Sequence, residues 1–151
     1  MDKKERFKVI SGAHLLLMKD NKILLLKRRS SFYNDGLYTL VSGHLDGNET
    51  LRNALCREAN EEIGIKLEPN NLTPLHTVHE KDIGNEYITL FFSVKSWIGD
   101  PKNMEPEKCY ELGWFDINNL PENTSALIKT TIPKILKGEI YSEFGWQNNL
   151  I

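Results

Sequence analysis

Apolar positions along this chain repeat with two periods, and the switch between them marks out the elements. From Phe7 to Met18 the residues are branched and aliphatic, and Ile23 to Lys27 repeats that character after the polar break Lys19-Asp20-Asn21-Lys22. The pattern predicts two strands joined by a turn. A loop from Arg29 to Gly36 leads to a short predicted strand at Leu37 to Val41. The period then becomes helical: Leu55, Ala59 and Ile63 share one stripe, Thr50 stands where an N-cap belongs, and Gly64 is a natural stop. Glu68-Pro69-Asn70-Asn71 reads as a turn. Strands are predicted at Leu75 to His79 and at Glu86 to Trp97, the latter alternating about Tyr87, Thr89, Phe91 and Ser93. After a polar loop opened by Gly99-Asp100-Pro101, Tyr110 to Ile117 is predicted as the last strand. Leu127, Ile128, Ile132, Ile135 and Leu136 predict a helix over Pro121 to Lys137, which Pro133 kinks or divides. Strands on both sides of a central helix, with a second helix late, predict an α/β fold with a mixed β-sheet between helices.

Composition narrows this reading without redirecting it. The 151 residues fit one domain, 1–151, with 40% hydrophobic and 26% charged residues. A net charge of −2 supplies no electrostatic footprint for nucleic acid or an anionic membrane, so neither is an expected partner. The N-terminal MDKKERFKV has no apolar signal core and no segment is long enough to span a bilayer. Cys56 and Cys109 lack metal-type spacing, and a reducing cytoplasm is the expected setting.

The chemistry concentrates between Gly43 and Ile65. Glu58, Glu61 and Glu62 lie three and four apart, hence on one helical face, with Arg57 beside them. Three such carboxylates repel one another unless a cation binds them. Hard divalent ions take oxygen ligands and share them with substrate phosphates. An ordinary solvated acidic face is the plainer alternative, but so many carboxylates offset by one arginine favour the metal. Glycines at Gly43 and Gly47 would let the preceding loop turn back towards the helix.

Gly43, five residues, Glu49, seven residues, then Arg57-Glu58-Ala59-Asn60-Glu61-Glu62-Ile63-Gly64-Ile65 resembles the complete Nudix box. The resemblance implies the Nudix α/β/α sandwich and hydrolysis of a nucleoside diphosphate linked to a further group, with Mg2+ or Mn2+ as cofactor. It implies Glu58 and Glu62 as leading metal ligands, and Glu61 as a further ligand or the water-activating base. Arg57 would orient a carboxylate, Glu49 being the candidate, and the carbonyl of Ser42 or Gly43 would add a ligand. Relatives often carry Pro-Gly-Gly before the box where this chain has Val41-Ser42-Gly43, so the carbonyl ligand is the departure from pattern. A carboxylate from outside the box commonly completes such sites; Glu107 and Glu111 are candidates by position, Glu80 and Glu86 weaker ones.

Specificity lies outside the box. Arg29, preferred over Arg28, suits phosphate binding through its paired donors. The stretch Trp114 to Asn123 is similar to mutator-type nucleoside triphosphatases, in which an asparagine after the proline reads a purine edge. Asn123 matches with a one-residue gap, and a helix N-cap before Thr124 is the competing reading. Phe91, Phe92 and Trp114 would stack on a base or fill the core, and the aromatic tail Tyr141 to Trp146 would close over a pocket or dock on the domain. The resemblance therefore favours a nucleoside triphosphate, ordinary or oxidised, cleaved to monophosphate and pyrophosphate. ADP-ribose, a nucleotide sugar or an RNA 5′ end, and a non-catalytic ligand sensor, are the alternatives. A small-molecule nucleotide is the expected partner, and a homodimer is compatible with what is frequent among relatives.

Overall fold

The computed structural model describes residues 4–148. The first hairpin forms where the polar break predicts it. Strand β1 (Ile10–Leu16) and its short continuation β2 (Met18–Lys19) turn through Asp20 and Asn21 into β3 (Lys22–Arg28). Asp20 and Asn21 have φ of 50° and 62°, the backbone a tight hairpin needs and one these two residue types tolerate. Phe7 is 74% exposed and outside the strand, because pairing with the neighbouring strand begins only at Ile10.

The stretch expected as one strand from Leu37 to Val41 is two. Strand β4 (Tyr38–Thr39) pairs with β3, whereas β5 (Val41–His44) pairs with β1. The chain thus crosses between sheets at Leu40, as the first strand does at Leu17. Helix α1 (Leu51–Ile63) follows, with Thr50 Oγ1 accepting from the Asn53 N–H and Gly64 at φ 70° closing its end. Strands β6 (Leu72–Asp82) and β7 (Asn85–Val94) form a long antiparallel hairpin with a bulge at Leu75; pairing runs from Leu72 with Val94 to Asp82 with Asn85, so β6 extends beyond its expected bounds at both ends and β7 ends sooner. Strand β8 (Cys109–Asp116) lies antiparallel to β3.

Helix α2 (Ala126–Leu136) starts five residues later than its apolar pattern predicts. Residues 123 and 124 are occupied elsewhere: the Asn123 carbonyl accepts from the Tyr38 N–H, and Thr124 bridges to Tyr38. Pro133 sits in the helix without dividing it. Strand β8 is not the last, because β9 (Tyr141–Phe144) adds parallel to β6.

The result is a five-stranded mixed sheet in the order β5-β1-β7-β6-β9 and a second sheet in which β3 pairs with β2, β4 and β8. Consecutive leucines explain the layers. Leu15, Leu17, Leu24 and Leu26 pack with Leu55, Ala59 and Ile63 of α1. Leu16, Ile23 and Leu25 point the other way, into a second core with Phe91 and with Ile128 and Ile132 of α2. A strand buried on both faces reads as an unbroken apolar run, and a helix covers each face. No helix among the described residues is long and apolar enough to cross a membrane.

Candidate active site

Strand β5 and helix α1 meet at a point that only glycine permits. A Cβ on Gly43 would fall 2.3 Å from Glu58 Cγ and 2.5 Å from its Oε1. Gly43 therefore lets the Glu58 side chain lie directly across the strand, and this close approach is a physical reason for glycine at the first position of the motif.

Arg57 organises one side of the helix face. Its Nη2 lies 2.9 Å from Glu49 Oε1 and 3.2 Å from Asp46 Oδ2, and its Nη1 lies 3.0 Å from Glu58 Oε1 and 3.6 Å from Glu61 Oε2. Glu49 also accepts from the Asp46 N–H at 3.0 Å. The arginine hydrogen bond and that backbone donor hold the Glu49 carboxyl below its ordinary range. Arg57 thus engages the expected Glu49 together with three further carboxylates. Asp46, in the loop before the helix, is one that the sequence reading did not single out.

Glu62 stands on the opposite side of the face and has no such partner. Burial, followed by the nearby Glu58 and Glu105 carboxylates, pushes its pKa up to about 8, against the Ser42 N–H that donates to it and the more distant Lys108. Burial also raises Glu58, although Arg57 opposes the shift. Ser42 reaches the site through its N–H; its carbonyl is the donor expected for a metal.

These residues line a cleft of about 790 Å³. Glu58, Glu61 and Glu62 line it with Glu105 and Glu107. Arg28, Arg29, Lys108 and Tyr110 line the same cleft. The sequence reading selected Glu107, which is exposed. It missed Glu105, which is half-buried and close enough to raise both Glu58 and Glu62. Asn103 explains the difference: its Oδ1 accepts from the Glu105 N–H at 3.1 Å and its Nδ2 donates to the Cys109 carbonyl at 2.7 Å. That turn orders the Glu105 segment against β8, and the Asn-x-Glu spacing at 103–105 is the signal that would have found it.

The other candidates are placed elsewhere. Glu111 accepts from the Tyr38 hydroxyl and lies 3.6 Å from Lys27. Glu80 accepts from Thr89, and Glu86 lies 3.4 Å from His79. None of these three lines the cleft. Arg29 does, and it donates to the Pro106 carbonyl at 3.3 Å with its guanidinium 5.1 Å from the centre of the Tyr110 ring. Asn123 is outside the lining; its Nδ2 donates to the Gly36 carbonyl at 2.8 Å. It is also not the helix cap, a position taken by Ser125.

Phe91 and Phe92 are core residues on opposite faces of the sheet, and Trp114 packs on the α1-side core, stacked on Trp97. The aromatic tail docks rather than closing a pocket. It adds β9 to β6, and Trp146 Nε1 donates to the His79 carbonyl at 2.9 Å.

The donor set fits a hard divalent cation: carboxylate oxygens clustered in a cleft, two of them raised by burial and mutual repulsion. Among the described residues, no three His, Cys, Asp or Glu side chains yet converge as ligands. Glu58 is turned to Arg57, and Glu105 to Lys108 at 2.9 Å. A cation would have to compete with those two partners.

Comparison with known proteins agrees with this geometry. The NUDIX domain model matches residues 9–135. The chain is 32% identical over 107 residues to an ADP-ribose pyrophosphatase of Methanocaldococcus jannaschii, covering 71% of this chain and 62% of that protein. It is 37% identical over 98 residues to an 8-oxo-dGTP diphosphatase of Proteus vulgaris, covering 64% and 82%. Among solved structures, a MutT NUDIX hydrolase from Burkholderia pseudomallei superposes with a TM-score of 0.76 at 29% identity, covering 84% of this chain and 98% of that one. The chain therefore spans less than two thirds of the archaeal relative's length.

Proposed function

The chain belongs to the Nudix hydrolase family, and from that premise we propose that it is a divalent-metal-dependent pyrophosphohydrolase that cleaves a nucleoside triphosphate to monophosphate and pyrophosphate. The observation that carries this reading is one cleft lined by both signs of charge: Glu58, Glu61, Glu62 and Glu105 together with Arg29 and Lys108. A triphosphate needs both, because its charge must be neutralised and its bridging phosphorus held in line with an attacking water.

Glu58, Glu62, Glu105 and the Ser42 carbonyl would hold Mg2+ or Mn2+, with Glu107 in reserve on the same loop. Bound there, the ion would supply charge neutralisation on the phosphates. Glu61, half-exposed and only 3.6 Å from the Arg57 guanidinium, is the candidate to take the proton from water. Arg57 and Glu49 position Glu58 rather than touching substrate. Arg29 grips the phosphates through a planar pair of donors. Asn123 pins, at Gly36, the loop whose residues Ser30 and Ser31 line the cleft.

The test is Mg2+-dependent pyrophosphate release from a panel of ordinary and oxidised nucleoside triphosphates, ADP-ribose and sugar nucleotides, with wild type and Glu62→Gln. Turnover confined to the ribose and sugar diphosphates would replace the triphosphate assignment with the second reading, which the archaeal ADP-ribose relative favours. Binding without turnover of any compound would make the chain a sensor. Equal activity in Glu62→Gln would refute the metal site.

A further inference from the structure

Glu58 and Glu105 are each paired with a cation of the protein itself, but the two cations differ in how readily they can leave. Arg57 is fixed by four carboxylates. Lys108 has one ion-pair partner among the described residues, Glu105, with Nζ 2.9 Å from Oε1. The Lys108 side chain is 68% exposed and that of Glu105 23% exposed. A pair open to water on the lysine side contributes about 1 kcal/mol or less, so exchanging it costs little.

The backbone around this pair is fastened to the rest of the cleft. The Met104 N–H donates to the Glu62 carbonyl at 3.1 Å, which ties the segment to the end of α1. The N–H groups of Lys108 and Cys109 both donate to the Glu105 carbonyl, at 2.8 and 2.9 Å. The Lys108 carbonyl accepts from the Arg29 N–H at 2.8 Å, and the Pro106 carbonyl accepts from Arg29 Nη1 at 3.3 Å. This turn holds Glu105 in the cleft that Glu58 and Glu62 also line, and leaves the flexible four-carbon stem of Lys108 to move within it. The Lys108 charge also reaches Glu62, where it opposes the upward push of burial.

We propose that Lys108 is a resident counter-ion of Glu105 that a divalent cation displaces, and that the freed ammonium then binds the phosphates of the substrate. This rests on the metal reading of the cleft and adds an order to its loading. A dication on Glu105 repels the ammonium, and the phosphates brought to the metal attract it. Metal and nucleotide thus favour each other through one side chain, and linkage makes the effect equal in both directions. Arg57 cannot act this way, because its other carboxylates hold it in place.

Two binding measurements test the handover without relying on turnover. Free Mn2+, followed by its paramagnetic resonance, reports metal binding in the absence of nucleotide. Calorimetry in saturating Mn2+ reports binding of the α,β-methylene analogue of ADP, which carries the diphosphate common to the nucleotide substrates considered above. Lys108→Met is expected to bind Mn2+ about fivefold more tightly than wild type and the analogue about fivefold more weakly. A gain in metal affinity is not what a damaged site would give. Lys108→Arg should stay near wild type in both. In a Glu105→Gln background, Lys108→Met should no longer raise Mn2+ affinity; a full gain there would make Lys108 a general charge rather than the partner of Glu105, and would overturn the proposal. Unchanged or weaker Mn2+ binding by Lys108→Met would overturn it too, as would analogue affinity that is undetectable in wild type or unmoved in the variant. Mn2+ bound by none of these proteins would sink the metal site itself, an outcome distinct from Mn2+ bound equally by wild type and Lys108→Met, which sinks the handover alone.

Discussion

Glu49 and Glu62 flank the same helix face, yet their environments push their carboxyls in opposite directions. Glu49 is held by Arg57 and a backbone donor and ionises below its ordinary range. Glu62 is buried beside Glu58 and Glu105 and is pushed up to about 8. A fold that only needed stability would compensate both. One side of the face is a finished ion-pair network that sets geometry; the other is left short of positive charge, which is what a cation-binding site requires.

Removing the uncompensated carboxylate should have the largest consequence. Glu62→Gln keeps the shape and the Ser42 contact but deletes a charge ligand. Metal ligands supply several kcal/mol to such a transition state, so kcat/KM is expected to fall about 10³-fold, with the Mg2+ concentration for half-activity rising. Steady-state kinetics over a Mg2+ titration measures both, and a loss under tenfold would remove Glu62 from the ligand set.

The same asymmetry predicts a pH dependence of stability. In the metal-free protein Glu62 binds its proton more tightly when folded than when unfolded. Its stabilisation is therefore complete below the ordinary carboxylate range and is lost as pH rises towards about 8. The loss between pH 5 and pH 8 is expected to be up to a few kcal/mol. Mg2+ should abolish much of it by holding the carboxylate ionised, and Glu62→Gln should abolish it without metal. Denaturant midpoints in EDTA at the two pH values check this; a Glu62→Gln protein with the wild-type slope would contradict it.

The compensated side depends on close packing, and Gly43→Ala tests that. A methyl group there meets Glu58 atoms at 2.3–2.5 Å, and the side chain must swing away from β5. Activity is expected to drop about 10²-fold, chiefly in kcat, while folding survives because the carboxylate tip can move. Circular dichroism with a kinetic assay separates the two, and near-wild-type kcat would show that the crossing is incidental.

How much of this arrangement could be read in advance depended on distance along the chain. The helix face was legible because spacings of three and four fix which side chains adjoin, and Thr50 and Gly64 mark its ends through local chemistry. The sheet crossings at Leu17 and Leu40 were not, since an apolar run does not state which neighbour it will pair with. Strand β9 was invisible for the same reason: Tyr141 to Phe144 becomes a strand only by finding β6, more than sixty residues earlier. Glu105 and Glu107 differ in local chemistry instead: Asn103 stands two residues before Glu105, and its side chain organises the turn that distinguishes them, a short-range signal that position alone does not carry.

Arg57→Lys carries the smallest expected effect and addresses the comparison most directly. Lysine preserves the charge but replaces the guanidinium fork with a single ammonium. Arg57 now reaches Glu49 through both Nε and Nη2, at 3.4 and 2.9 Å, while Nη1 holds Glu58 at 3.0 Å. A lysine cannot keep both carboxylates in that fixed relation. If the arginine served only to neutralise charge, the variant would match wild type. If it orients Glu58 for the metal, kcat should fall about tenfold, the size of loss seen when a residue supporting a metal ligand is removed. Stability should change little, because Arg57 and its partners remain partly in water. A KM increase at constant kcat would instead mean that Arg57 meets the substrate, and the division between the positioning side and the binding side of the helix would have to be redrawn.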